Sequence, residues 1–222
     1  MSEVQTHNMQ VTIKENIKEK GFLYNFTKRL MDIIGAAVGL VLLSPVFLIL
    51  AILVKLDSKG PVFFAHKRLG HRGKIIKIYK FRSMVINAEE LLNNLTPEQK
   101  KEFDENFKLE NDPRITKMGD FLRRTSLDEL PQLVNILQGD LSIVGPRPIV
   151  EKEIELYGKY GKKFLSVKPG LTGNWQANGR SDTTYDERVQ LDMDYIDKRT
   201  IWMDIAIILK TAVVVFKREG AR

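Results

Sequence analysis

The sequence predicts an α+β fold that is mostly helical and associates with a membrane, because three stretches of the chain have distinct patterns. Residues 33–54 carry no charged side chain, residues 60–81 have the glycine-bounded alternation of a small β-hairpin, and residues 201–216 form a second apolar stretch. A helix over the first stretch measures about 33 Å, close to the hydrocarbon thickness of a bilayer. A chain of 222 residues is long enough for one compact domain in addition to such a segment.

The uncharged run is interrupted at its middle by Ser44-Pro45. Pro45 has no N–H to donate to the carbonyl of Val41, and a bare carbonyl is costly in lipid, so we expect the Ser44 hydroxyl to bond back to Leu40. Basic residues on both sides of the run draw both of its ends toward the cytoplasm; they include Lys28, Arg29, Lys55 and Lys59. Two structures fit equally well, a re-entrant helix-break-helix anchor and a proline-kinked helix that spans the bilayer.

The rest of the chain divides by charge and hydropathy. Residues 1–27 form a polar N-terminal segment, residues 28–56 the anchor, residues 57–200 the domain with the candidate catalytic residues, and residues 201–222 a C-terminal helix. Residues 85–112 are rich in acidic side chains and predict a solvent-facing helical insert. The C-terminal helix fits either an amphipathic helix in the membrane interface or a buried core helix.

The composition favours anionic partners and excludes several kinds of site. The chain has 35 Lys and Arg residues against 28 Asp and Glu residues, a formal net charge of +7. This excess favours phosphate groups or acidic lipid surfaces as partners. Because the chain has no cysteine and only three histidines, we exclude disulfides, iron–sulfur clusters, structural zinc sites and a cysteine nucleophile.

Asp128 and Glu129 are the strongest candidates for chemistry. These adjacent acids precede Pro131, which is well placed to begin a helix, and a helix N-terminus favours ionised carboxylates. Such a pair suits a divalent cation and phosphate chemistry. The structural alternative is a capping box that begins at Ser126, although this reading places Pro131 inside the helix and leaves Asp128 unexplained.

Basic residues provide candidates for phosphate binding. Arg147 lies between two prolines that fix the backbone, and its planar guanidinium suits phosphate. Lys80, Arg82 and Arg180 are further candidates for substrate binding.

A second acidic motif, Asp192-Met-Asp194, matches the D-x-D of many metal-dependent glycosyltransferases. However, the spacing of Val189, Met193 and Ile196 predicts a helix with both aspartates toward solvent. We therefore favour a structural role for the two aspartates. A glycosyltransferase that uses Asp192 and Asp194 and releases UDP is the alternative enzyme. A basic membrane adaptor or nucleic-acid binder is the non-enzymatic alternative.

Seven motifs follow one another along residues 28–216: Lys28 to Pro45, Gly60 to Phe64, Lys80 to Met84, Asp112 to Thr116, Ser126 to Leu133, Gly145 to Pro148, and Pro169 to Arg180. In this order they resemble the bacterial sugar transferase family, the monotopic phosphoglycosyl transferases, in its minimal catalytic form. The resemblance implies transfer of a sugar-1-phosphate from a UDP-sugar to polyprenol (undecaprenyl) phosphate, with UMP as the second product. It also implies a monotopic protein whose re-entrant anchor breaks at Ser44-Pro45, with interfacial amphipathic helices.

The same resemblance assigns roles to individual residues. Asp128 is the expected nucleophile, and Asp128 and Glu129 are the expected ligands of Mg²⁺. The residues expected to handle phosphates are Lys80, Arg123, Arg147 and Arg180. We expect the enzyme at the cytoplasmic face of the plasma (inner) membrane, in the first membrane step of exopolysaccharide, capsule or lipopolysaccharide synthesis. Its expected partners are the UDP-sugar, polyprenol phosphate and membrane lipids, without nucleic acid and with a homodimer as a further option.

Overall fold

The structure is a computed structural model that describes residues 20–106, 109, 112–179 and 183–217, and it confirms the α+β class. The α-helices are α1 (Phe22–Leu42), α2 (Ser44–Asp57), α3 (Ala88–Asn93), α4 (Pro97–Asn106), α5 (Lys117–Thr125), α6 (Gln132–Gln138), α7 (Gly161–Leu165), α8 (Asn174–Asn178), α9 (Tyr185–Lys198) and α10 (Ile201–Lys217). Three 3₁₀ helices cover His71–Gly73, Leu127–Glu129 and Glu151–Tyr160, and the strands are β1 (Phe63–Leu69), β2 (Ile75–Phe81), β3 (Ser142–Val144) and β4 (Gly170–Thr172).

Helices α1 and α2 form the predicted helix-break-helix, with a bend of 63°. Ser44 Oγ donates a hydrogen bond to the carbonyl of Val41 at 2.8 Å, so the predicted acceptor Leu40 was wrong. Val41 is the carbonyl that Pro45 deprives of its N–H donor, so the side chain replaces the missing bond. Among the described helices none alone is long and apolar enough to cross a membrane, whereas the bent pair passes that test as a broken span or a re-entrant loop. Helix α1 begins at Phe22, six residues before the segment 28–56 that was interpreted as the anchor.

The base of α1 is tied to the rest of the protein. Arg29 Nη1 and Nη2 donate to the carbonyls of Ile136 and Leu137 at 2.6 and 2.8 Å, which satisfies the last turn of α6. Lys28 Nζ lies 2.9 Å from Asp204 Oδ2, and α1 packs along α6. The packing is close at Gly39, where a Cβ would lie 3.2 Å from a methyl group of Leu133 and would require that side chain to shift slightly.

Strands β1 and β2 form the predicted antiparallel hairpin, in a register that pairs Phe64 with Lys80 and His66 with Ile78. Because directly opposite residues in an antiparallel pair share a face, Phe64, His66, Ile78 and Lys80 all lie on one face of the hairpin, together with Arg68. This face turns toward the protein interior, where Ile78 is fully buried.

A short parallel pair, β3 with β4, was not predicted from the sequence. Gly145 follows β3, and a Cβ on Gly170 would lie only 2.1 Å from its backbone nitrogen. Only glycine permits the two segments to approach so closely. Their contact fixes the start of the Pro146-Arg147-Pro148 segment.

The C-terminal helix α10 has its polar edge inward. Asp204 is fully buried and accepts a hydrogen bond from the Tyr195 hydroxyl at 2.8 Å, and the hydroxyls of Thr211 and Thr172 lie 2.7 Å apart. The outward side is apolar, with Trp202 81% exposed. The helix therefore joins the protein through polar contacts and presents its apolar side chains outward.

The acidic insert contains helices α3 and α4, as expected from its composition. Helix α4 begins at Pro97, next to Thr96, whose Oγ1 accepts from the backbone of Gln99 while Gln99 Oε1 accepts from the backbone of Thr96.

Candidate active site

The two adjacent acids lie on a tight turn between helices α5 and α6. Helix α5 ends at Ser126, whose φ of 58° places a non-glycine residue in the left-handed region, a strain of about 1 kcal/mol. The 3₁₀ helix Leu127–Glu129 follows, and Pro131 then begins α6 as predicted. The Ser126 side chain makes no capping hydrogen bond, so the capping-box alternative was wrong.

Lys80 and Arg147 converge on the two carboxylates. Lys80 Nζ lies 3.3 Å from Asp128 Oδ2 and 2.7 Å from Glu129 Oε1, so one ammonium bridges both acids. Arg147 Nη2 donates to the same Glu129 oxygen at 3.0 Å. Lys80 comes from the hairpin and Arg147 from the loop after β3, so the site depends on the tertiary fold.

The surroundings give the two acids different pKa values. Burial raises the pKa of Asp128, and the negative charge of Glu129 adds to this, while Lys80 and Arg123 act in the opposite direction. Burial alone would also raise the pKa of Glu129, but Arg147 and Lys80 outweigh it and lower that pKa well below its ordinary value. Glu129 is thus a fixed anion and Asp128 the more basic carboxylate.

A small, partly open pocket lies beside these residues. Lys80, Glu129 and Arg147 lie in its wall together with His66, Arg68 and Gln132. The wall is strongly cationic, with Arg68, Lys80 and Arg147 against one acid, Glu129.

Comparison with known proteins identifies the family. The profile of a family described as Bacterial sugar transferase matches residues 23–218. The chain belongs to this family. It is 46% identical to an undecaprenyl-phosphate galactose phosphotransferase of Salmonella typhimurium over all of this chain and 47% of that protein. It is 42% identical to a UDP-glucose:undecaprenyl-phosphate glucose-1-phosphate transferase of Escherichia coli over 87% of this chain and 41% of that protein.

The exopolysaccharide production protein ExoY of Rhizobium meliloti is 44% identical over 87% of both chains. The chain therefore spans nearly all of ExoY but about half the length of the Salmonella and Escherichia relatives. The family assignment confirms the resemblance found from the motifs.

Arg82 of this bacterial sugar transferase bonds to the loop after α2, and its predicted role in substrate binding stays a prediction. Its Nε donates to the carbonyl of Pro61 at 2.6 Å, and its terminal nitrogens donate to the carbonyls of Lys59 and Ser58 and to the Ser58 hydroxyl. The alternation that places Lys80 in the site ends with the strand at Phe81, and Arg82 turns back onto the loop after α2.

Of the two other arginines expected to handle phosphates, only Arg123 lies within the described residues. Arg123 Nε donates to Ser83 Oγ at 3.1 Å, and Arg123 lies near enough to Asp128 for the charge of each to shift the other's pKa. Arg180 lies outside the described residues, so its role stays a prediction.

The D-x-D acids do not converge. Asp192 is fully buried and accepts a hydrogen bond from the Tyr157 hydroxyl at 2.8 Å, whereas Asp194 pairs with Lys198 at the surface. The prediction that both aspartates face solvent was therefore wrong for Asp192. Burial raises the pKa of Asp192 to about 6. Neither the contacts nor the spacing of the pair resembles a metal site.

The carboxylate pair fits Mg²⁺ only in a site completed by substrate. The described residues contain no group of three or more His, Asp or Glu side chains that could hold a metal ion. Two adjacent carboxylates nevertheless supply the hard oxygen ligands that Mg²⁺ prefers, and Mg²⁺ is often bound by one or two carboxylates plus substrate phosphates. Asp128 and Glu129 are thus the residues that would hold the ion.

Proposed function

We propose that this protein transfers a sugar-1-phosphate from a UDP-sugar to polyprenol phosphate through a covalent phosphosugar on Asp128, and that it releases UMP. The observation that carries the proposal is the bridging of Asp128 and Glu129 by Lys80, in a cationic pocket completed by Arg147. The names of the relatives, which refer to undecaprenyl phosphate and to galactose or glucose, support this choice of substrates.

The first half-reaction uses Asp128 as nucleophile. A carboxylate oxygen of Asp128 attacks the phosphorus that bears the sugar, a new acyl-phosphate bond forms, and the bond to the bridging oxygen breaks so that UMP leaves. Burial raises the pKa of Asp128 and makes it the more basic of the two acids, while the charge of Lys80 acts on that pKa in the opposite direction. Glu129 remains charged beside it because Arg147 and Lys80 neutralise it.

The second half-reaction regenerates the enzyme. An oxygen of polyprenol phosphate attacks the same phosphorus, the acyl-phosphate bond breaks, and the Asp128 carboxylate is restored as the lipid diphosphate sugar leaves. Both substrates are anions, so Lys80 and Arg147 offset the repulsion as they approach.

Asp128 and Glu129 would hold Mg²⁺ together with the diphosphate of the donor. When bound, the ion would offset negative charge on the diphosphate and improve UMP as a leaving group. Lys80 and Arg147 place the two carboxylates for that task.

The apolar surfaces support a location at the cytoplasmic face of a membrane. We propose that α1 and α2 form a re-entrant anchor and that α10 lies in the interface, because the outward side chains of all three helices are largely apolar. Tags at residue 1 and residue 222 should then both be found in the cytoplasm. Tags on opposite sides would show a spanning helix instead.

Adduct trapping tests the chemistry. The full chain, incubated with UDP-galactose or UDP-glucose labelled in the sugar but without lipid, should gain the mass of one sugar phosphate on residue 128. The nucleotide product should be UMP, whereas the D-x-D alternative releases UDP. Label should move to polyprenol phosphate when the lipid is added.

Two variants make this test specific. Asp128→Asn should form no adduct and no lipid product, because an amide is a poor nucleophile. Asp197→Asn is the matched control, since this partly exposed carboxylate pairs with Lys163 on the surface, and it should behave as the wild type. Lipid product formed at the normal rate by Asp128→Asn would refute the covalent mechanism.

A further inference from the structure

One histidine in the pocket wall has its protonation state fixed by a neighbour. Arg68 Nη2 lies 3.2 Å from His66 Nδ1, within hydrogen-bonding distance. A guanidinium has donors and no acceptor, so Nδ1 must accept this bond and the ring proton must be on Nε2. His66 is thus a neutral imidazole with its N–H at Nε2.

The arginine that fixes His66 is itself held in place. Arg68 Nη1 donates to Glu153 Oε1 at 3.2 Å, and Glu153 also pairs with Arg188 at 3.6 Å. The guanidinium of Arg188 in turn lies 4.4 Å from the centre of the Trp175 ring. This chain of contacts leaves Arg68 little freedom to release His66.

The surroundings keep His66 uncharged. Burial, with Arg68 and Lys80 nearby, lowers the pKa of His66 to about 4. The hairpin register places His66 on the same face as Lys80, in the wall of the pocket beside Arg147. No described residue accepts a hydrogen bond from Nε2, so this donor remains for a ligand.

We propose that His66 Nε2–H donates a hydrogen bond to an uncharged oxygen of the nucleotide sugar, a hydroxyl or a carbonyl, and that Arg68 is the positioning residue for this contact. The division of labour follows from charge, because Lys80 and Arg147 serve the anionic phosphate oxygens while a neutral donor suits a neutral acceptor. The inference rests on the proposed function, since it assumes that a nucleotide sugar occupies the pocket.

Steady-state kinetics test the contact. His66→Ala should raise KM for the UDP-sugar about tenfold, the usual effect of one lost hydrogen bond, with little change in kcat or in KM for polyprenol phosphate. His66→Gln should restore most of the loss, because its amide oxygen can accept from Arg68 while its amide nitrogen donates. His71→Gln is the matched control, since His71 lies near the Ser166 carbonyl and outside the pocket wall.

A double variant tests the role of Arg68. Arg68→Met should also raise KM for the UDP-sugar, and His66→Ala should add nothing in that background because both changes remove one contact. Independent, additive effects would overturn the positioning role. An unchanged KM for His66→Ala, or a change confined to the lipid substrate, would overturn the contact.

Binding and NMR measurements separate this inference from the proposed reaction. Nitrogen-15 spectra of the histidine rings should show His66 protonated at Nε2 alone at pH 7, and Arg68→Met should abolish this single tautomer. Weakened binding of both UMP and the UDP-sugar by His66→Ala assigns the acceptor to the nucleoside, and weakened binding of the UDP-sugar alone assigns it to the sugar. If the tautomer and the binding effects appear while no adduct forms on Asp128, the mechanism fails and the contact stands. A doubly protonated ring at pH 7 overturns the contact.

Discussion

Asp128 and Glu129 are consecutive residues of a 3₁₀ helix, whereas Asp192 and Asp194 are two positions apart in the α-helix α9. The first two meet the same Lys80 ammonium, but the second two meet different neighbours, Tyr157 in the interior and Lys198 at the surface. Residues two positions apart in an α-helix point about 200° from one another, so they cannot share a small ligand.

The comparison shows that the backbone conformation decides whether two nearby acidic side chains can act on the same ligand. The left-handed Ser126 ends α5 and allows the next turn to bring both carboxylates to one side. A regular helix through Asp192 permits no such convergence. The two acid pairs should therefore respond differently to substitution, and so should the cations that accompany them.

The largest expected difference is in catalysis. Glu129→Gln should lower kcat/KM by about 10²- to 10³-fold, because it removes a charge that lies beside the reacting phosphate and binds both Lys80 and Arg147. Asp194→Asn should stay within about twofold of the wild type. UMP release with saturating lipid measures both. Equal losses for the two variants would contradict the assignment of catalysis to the Asp128-Glu129 pair.

Asp192 should affect stability in a pH-dependent way. Its pKa is raised by burial to about 6, so the folded protein favours the protonated form, and the stability present below about pH 4 is lost as the pH rises through 6. The wild type should therefore lose about 2 kcal/mol more than Asp192→Asn between pH 4 and pH 7. Denaturant unfolding in a fixed detergent at each pH measures the difference, and parallel curves for the two proteins would refute it.

The two arginines should separate stability from activity. Arg82→Lys should lower the free energy of unfolding by about 2 kcal/mol, because lysine cannot make all the hydrogen bonds that the guanidinium donates to Ser58, Lys59 and Pro61. The activity of the folded enzyme should stay within about threefold of the wild type. Arg147→Lys should lower kcat/KM about tenfold with little loss of stability. A strong effect of Arg82→Lys on KM for the UDP-sugar would support its predicted role in substrate binding.

The smallest effect is expected at the surface. Lys198→Ala removes the partner of Asp194, and the unfolding midpoint and kcat/KM should not change measurably, because exposed ion pairs contribute little to stability. Lys80→Ala, which removes the partner of the other acid pair, provides the contrast and should inactivate the enzyme. A clear loss of activity in Lys198→Ala would assign function to the D-x-D segment.

Much of this molecule could be predicted from local pattern alone. The hairpin, the break at Ser44-Pro45, the helix start at Pro131 and the candidate pair Asp128-Glu129 all depend on turn residues, strand alternation and charge close in sequence. The pairing of Glu129 with Arg147 was not foreseen as a contact, because it requires the unpredicted β3–β4 pair to place that loop.

One wrong prediction, for Asp192, and one omission, of His66 and Arg68, had signals within the sequence. Asp192 lies three residues after Val189 and four before Ile196, which places it on the apolar stripe that faces the core. His66 and Arg68 lie at alternate positions on β1, and the register pairs His66 with Ile78 on the face of Lys80. The contacts of Arg82 had no such signal, because strand alternation cannot show where a strand ends.

The bonds from Arg29 to the end of α6 have a mechanical consequence. Helix α6 follows the 3₁₀ turn of the carboxylates, so these bonds couple the position of α1 to that of the reaction centre. If α1 and α2 rest in a bilayer as proposed, the height of the reaction centre above the lipid tails is set by how α1 docks against α6. Lipids with shorter or longer tails should then alter how readily polyprenol phosphate reaches the enzyme, while affinity for the water-soluble donor stays constant.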